Sequence, residues 1–146
     1  MKITIIQVGK TKESSYQEIE QEFLKRLRPY CDLQTITIKT SDQKTENQQI
    51  QQKIPKDQVI IALDGRGHQL TSKQCAQALE RYRDLEGGKI TFLIGGPHGL
   101  TRETLAKTKF VLSFSKMTFT HQMVRLFLLE QLYRSFMILA GKSYHY

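Results

Sequence analysis

Three stretches of this chain carry residue types able to grip and transform a small ligand, and each lies where an apolar run ends. Residues 90–100 read Ile-Thr-Phe-Leu-Ile-Gly-Gly-Pro-His-Gly-Leu, a β-branched strand entering a glycine-rich loop. Gly95, Gly96 and Gly99 leave room for a ligand to approach the backbone closely, and Pro97 fixes one dihedral, so the loop has a shape. Leu63-Asp64-Gly65-Arg66-Gly67 leaves a second apolar run. The third stretch, Ser113-Phe114-Ser115-Lys116-Met117-Thr118-Phe119-Thr120-His121, mixes hydroxyls and main-chain polar groups with apolar walls. Such a surface can hydrogen-bond the edge of an adenine and pack on its faces. No Gly-Lys-Ser/Thr follows the glycines and the G-x-G-x-x-G spacing is absent, which disfavours phosphate binding, nucleotide hydrolysis and dinucleotide chemistry.

The hydrophobic pattern supplies a frame for these loops. Residues 2–8, 33–39, 58–63, 89–94 and 110–113 read as strands, with helices between them. Ser15-Tyr16-Gln17-Glu18 has the form of a capping box, opening a helix with Ile19, Phe23, Leu24 and Leu27 inward that stops before Pro29. Residues 41–54 are polar and glutamine-rich, a weakly amphipathic helix with Ile50 and Ile54 inward. Thr71 caps a helix bearing Cys75, Ala78, Leu79 and Tyr82, which ends at Gly87-Gly88. Thr101 opens a short helix, and residues 120–140 form a long final one. This alternation predicts an α/β fold with a mostly parallel sheet and helices on both faces. Ligands bind such sheets beyond the carboxyl ends of the strands, where all three loops emerge. The last helix is apolar on more than one side, through Val124, Phe127, Leu128, Leu129, Leu132, Tyr133, Phe136, Met137 and Leu139. It therefore needs cover from several directions, and a two-fold dimer is the expected source of one of them.

The chain of 146 residues is read as one domain, 1–146, with 39% hydrophobic and 25% charged residues. Its net charge of +8 suggests a polyanionic partner. Seven basic but only two acidic residues follow residue 99, so the excess sits beside the candidate site and favours nucleic acid. No apolar run is long enough to span a membrane. The short apolar stretch after Met1 reads as a first strand rather than a signal segment. Cys31 and Cys75 have neither metal-ligand spacing nor a disulfide framework, so no metal is expected and the cytoplasm is the expected compartment.

Leu63-Asp64 after an apolar strand, the run 93–100, His121-Gln122-Met123-Val124-Arg125, Leu132-Tyr133-Arg134 and Tyr144-His145 recur in that order. Together they resemble the RlmH family of SPOUT methyltransferases over essentially the whole chain. The resemblance implies a SPOUT-type parallel sheet with a C-terminal trefoil knot, and a homodimer. It implies S-adenosylmethionine as methyl donor and N3 of a pseudouridine in 23S rRNA, within a ribosomal particle, as acceptor. Leu63, Gly95 and Gly96, with Ser115, Lys116, Met117, Thr118, Phe119 and Thr120, would hold the donor. Thr120 stands where some relatives carry proline, and Lys142-Ser143 where their tail often has His-Pro.

Within that reading, His145 is the tail side chain best suited to take the proton that the acceptor nitrogen loses. Tyr144 would stack on or hydrogen-bond the base, and Arg134 would bind phosphate or the base. Lys116, Arg125 and Lys142 are expected to supply a field for phosphates. His121 is expected to be structural, and His98 simply exposed. The competing expectation is a catalytically inactive α/β module that binds RNA or ribosomes, and donor binding separates the two. A flavodoxin-like domain is a third, disfavoured because the loops are poor in aromatic residues.

Overall fold

The computed structural model of the protein describes residues 1–144. Their elements are β1 (Lys2–Val8), α1 (Ser14–Leu27), β2 (Asp32–Ile38), α2 (Gln43–Lys53), β3 (Val59–Gln69), α3 (Ser72–Leu85), β4 (Lys89–Ile94), α4 (Arg102–Ala106), β5 (Phe110–Ser113) and α5 (His121–Leu139). The five strands form one parallel sheet in the order β2-β1-β4-β3-β5. The α/β alternation read from the sequence is thus observed, and β3 stands between β4 and β5.

Alternation along each strand divides the core into two layers. Ile3, Ile5, Ile90, Phe92 and Ile94 meet Leu27, Leu79, Leu128, Leu132 and Phe136 from α1, α3 and α5. Ile6, Val8, Ala62 and Leu93 turn the other way, against Ile50 of α2 and Leu105 of α4. β1 and β4 are buried on both faces, which is why they read as nearly continuous apolar runs. The apolar girth of α5 has a cause within one chain. The helix lies between α1 and α3, so Leu128, Leu129, Leu132, Phe136 and Met137 are all buried. No helix among the described residues is long and apolar enough to cross a membrane.

Two local expectations are corrected. Ser15 does not cap α1: Glu13 occupies the cap position, with no side-chain cap bond. The start of α1 is tied from elsewhere, with Gln122 Oε1 accepting from Lys12 N at 2.8 Å and Gln17 Nε2 donating to Thr11 O at 2.7 Å. The segment 64–68, read as a loop after a strand ending at Leu63, belongs to an eleven-residue strand. Leu63 and His68 both register with Leu112 of β5, so residues 64–67 form a bulge and the strand then resumes. Gly67 is obligatory at the re-entry, because a Cβ there would lie 2.4 Å from the Val111 carbonyl oxygen.

Candidate active site

Because β3 lies between β4 and β5, the three chemistry-bearing segments meet at the carboxyl end of the sheet. They enclose a cleft of about 760 Å³, within the range of small-molecule sites. Leu63, Gly95, Gly96, Ser115, Lys116, Met117, Thr118, Phe119 and Thr120 all line it, together with Asp64, Arg66 and His121. The structure therefore brings together every residue read as donor-binding. Met117 is 74% exposed and marks the rim, whereas Leu63 and Leu112 form buried walls.

Local bonds set the shape of each wall. Gly99 N donates to Gly96 O at 2.9 Å, closing a tight turn over Pro97 and His98, and the chain leaves the turn at Gly99 with a φ of +78°. Arg66 holds Asp64 in a two-pronged pair, with Nε on Oδ1 and Nη2 on Oδ2, both at 2.8 Å. This guanidinium draws the Asp64 carboxyl below its ordinary pKa. The same Nη2 also donates to Leu100 O at 3.1 Å, so the bulge and the glycine loop are joined across the cleft. Ser113 Oγ donates to Ser115 O at 2.8 Å, Met117 N donates to Ser115 Oγ at 3.0 Å, and Thr120 caps α5 by accepting from Met123 N.

α2 has a part that its sequence did not announce. Gln43 Nε2 donates to His98 O at 2.7 Å. Asn47 Nδ2 donates to Gly99 O at 3.2 Å while its Oδ1 accepts from Thr101 N at 2.9 Å. One polar helix face thus fixes the glycine loop from behind. Buried beside it is Glu46, whose Oε1 accepts from Ser41 N at 2.9 Å. The glycines serve this packing as well as any ligand. A Cβ on Gly96 would stand 2.9 Å from both Val8 Cγ1 and Glu46 Oε2, and one on Gly95 would stand 3.0 Å from the Gly99 carbonyl carbon.

Arg125 does not supply the surface field expected of it. It is 1% exposed and donates to the Gly9 carbonyl at 2.8 Å and to the Thr11 hydroxyl. Burial lowers its pKa. His121 opens α5 at the cleft edge, half-buried and facing Gly9. Desolvation first, then Arg125 and Lys12, lower its pKa against an opposing pull from Glu46. His98 is exposed, and Lys116 is exposed at the rim. Lys142 Nζ donates to Tyr30 Oη at 3.0 Å, away from the cleft.

Tyr144, the last described residue, is not at the cleft of its own chain. Gly141, with φ +64°, ends α5, and Gly141 N and Lys142 N donate back to Ile138 O and Met137 O. The chain reverses along the helix, so that Arg134 Nη1 donates to Tyr144 O at 3.1 Å and its guanidinium lies 4.9 Å from the Tyr144 ring centroid. Glu130 Oε1 accepts from Arg134, and Tyr133 meets Tyr144 edge-on at 4.7 Å. Burial raises the Tyr144 phenol, assisted by Glu130. Arg134 follows His121 by thirteen helical steps, which is about 20 Å along the axis. His145 lies outside the described residues.

The buried polar side chains Glu46, Asn47 and Arg125 were missed as site-positioning groups. The one available signal was a helix too polar to be placed by apolar spacing, directly before a strand.

The structure is a parallel α/β sheet with a cleft beyond the carboxyl ends of its strands, and comparison with known proteins assigns the class. Residues 1–145 match the family described as predicted SPOUT methyltransferase. The chain is 39% identical to the ribosomal RNA large subunit methyltransferase H of Halothermothrix orenii, covering 99% of each sequence. It is 40% identical to the protein of that name from Carboxydothermus hydrogenoformans, again over 99% of each. A probable methylase family protein of known structure from Haemophilus influenzae superposes with a TM-score of 0.60 at 13% identity, covering 99% of this chain and 70% of that one, a likeness of fold. This chain belongs to the SPOUT methyltransferases and, within them, to the ribosomal RNA large subunit methyltransferase H family.

Proposed function

We propose that this protein, acting as a single catalytic domain, transfers a methyl group from S-adenosylmethionine to N3 of a pseudouridine in 23S rRNA within a ribosomal particle in the cytoplasm. The observation that carries the reading is the convergence of Leu63, the Gly95-Gly96 turn and residues 115–120 on one cleft. These groups suit the donor: the cleft offers main-chain polar groups of two loops beside the Leu63, Leu112 and Phe119 side chains. When bound, the donor supplies a methyl group already activated on sulfonium, so the chain need provide no covalent nucleophile. Its contribution is alignment, worth about 7–11 kcal/mol of barrier when donor and acceptor are held in line. Lys116 at the rim attracts the RNA backbone. His145 takes the proton from the acceptor nitrogen, Tyr144 packs against the base, and Arg134 holds the tail that carries both.

In this reading the working unit is a homodimer with a knotted C-terminal third. Support comes from the separation between the tail anchor and the cleft on one chain, since the tail of a second copy can then complete each cleft. Mixing two defective variants tests it. Thr118→Trp blocks a cleft and Arg134→Ala frees a tail, so each alone should transfer little labelled methyl to ribosomes. Mixed heterodimers should regain a fraction of the activity, and a mixture as inactive as its components would exclude a shared site. Mass mapping of rRNA from cells lacking the gene tests the target nucleotide.

A further inference from the structure

The carboxylate of Glu46 is fully buried, yet its Oε2 has no hydrogen-bond partner among the described residues. An unpaired buried carboxylate oxygen costs free energy and calls for an explanation. Its place in the fold offers one. Oε2 lies 2.9 Å from where a Cβ of Gly96 would be, and Gly96 lines the cleft. Only the thickness of a glycine therefore separates this oxygen from the ligand space.

Among the described residues, no cationic side chain pairs with it. Arg125 is committed to Gly9, Thr11 and, at 3.9 Å, Glu20. His121, at the cleft edge, feels the charge of Glu46 but is held toward its neutral form by burial, Arg125 and Lys12. Asp64, the acidic residue of the cleft wall itself, is already occupied by the Arg66 fork. In a protein of net charge +8, the ligand space would otherwise repel cations. A charge in a poorly solvated interior acts over several ångströms with little screening.

We infer that Glu46 is a specificity-determining residue: its buried charge behind Gly96 makes the cleft favour the sulfonium donor over the uncharged product, S-adenosylhomocysteine. This rests on the donor reading above and deepens it. The two ligands differ by one methyl group and one positive charge, so transfer itself removes the charge that Glu46 favours and promotes product release. Glu46 touches neither reacting atom and acts only through the field.

Calorimetric titration of wild type and Glu46→Gln with S-adenosylmethionine, S-adenosylhomocysteine and sinefungin, which carries an ammonium near the sulfonium position, tests the inference. The substitution should weaken both cationic ligands by about tenfold relative to S-adenosylhomocysteine, whose own Kd should stay within twofold. An equal change for all three ligands, or none, overturns the assignment. Should Glu46→Gln fail to fold, wild type at 0.5 M KCl provides the reading, because salt screens a buried charge much less than the surface. Sinefungin should then bind more tightly than S-adenosylhomocysteine, and equal or weaker binding overturns the inference. If wild type binds none of the three, the donor reading itself is withdrawn, and this inference with it.

Discussion

α2 and α5 flank the same cleft and both defeat a reading by amphipathic spacing, for opposite reasons. α2 is polar almost throughout, and apart from Ile50 its inward side is set by hydrogen-bonding groups: exposed Gln43 and buried Asn47 hold the main chain of the glycine loop, and buried Glu46 lies behind Gly96. α5 is apolar on more than one side, and α1, α3 and the sheet cover the part that carries Leu128, Leu129, Leu132, Phe136 and Met137. In its first turns Gln122 and Arg125 hold the segment 9–13 as α2 holds the segment 98–101, while Gln131 and Arg134 bind Ser72 and Tyr144 further along. The difference separates two duties. One helix shapes the site, and the other holds the domain together while its first turns fix a single loop.

That contrast can be broken by substitution. Arg125→Met should have the largest effect, destabilising the fold by about 3–5 kcal/mol in urea titration because buried partners are left uncompensated. A loss below 1 kcal/mol would show that the loop 9–13 does not depend on α5. Leu128→Ala should cost about 2–5 kcal/mol through a cavity beside Phe92 and Leu132, with the Kd for S-adenosylhomocysteine unchanged while the protein stays folded. Asn47→Ala should reverse the balance. It should lose about 1–3 kcal/mol of stability but weaken donor binding at least tenfold, since the turn at Gly99 loses its backing. Wild-type affinity in Asn47→Ala would erase the distinction between the helices.

The smallest effect is a pH dependence at the junction between them. The folded pKa of His121 lies below the ordinary 6.5, so on acidification the unfolded chain takes up a proton before the folded one does. Stability from this group is complete above pH 6.5 and is lost as pH falls from there through the lowered folded value. His121→Gln should therefore flatten the acid side of a stability–pH curve between pH 5 and 7. An unchanged slope would assign that loss to other groups.

Much of this was legible in the residues. β-Branched and continuous apolar runs mark all five strands, though β3 continues past Leu63, and the three loops that line the cleft are marked by glycine, hydroxyl and apolar residues at strand ends. The bulge at 64–67 was not legible, because whether a Gly-rich segment rejoins its sheet depends on a neighbour, here Val111, distant in sequence. Arg125 was misassigned for a similar reason. An arginine on a helix near a basic C-terminal third looks like surface charge until the carbonyl of Gly9 is found against it. Long-range hydrogen bonds between single polar side chains and bare backbone leave no periodic trace.

The interrupted third strand makes the two rims of the cavity mechanically unlike. Residues 64–67 are anchored at both ends by pairing to β5 and are strapped to Leu100 by Arg66, so they can move only with the sheet. The opposite rim, carrying the exposed Met117, is secured at its tip by little more than the Ser115 hydroxyl. One wall of the cavity is thus built into the sheet, and the other hangs on a hydroxyl beside a solvent-facing methionine.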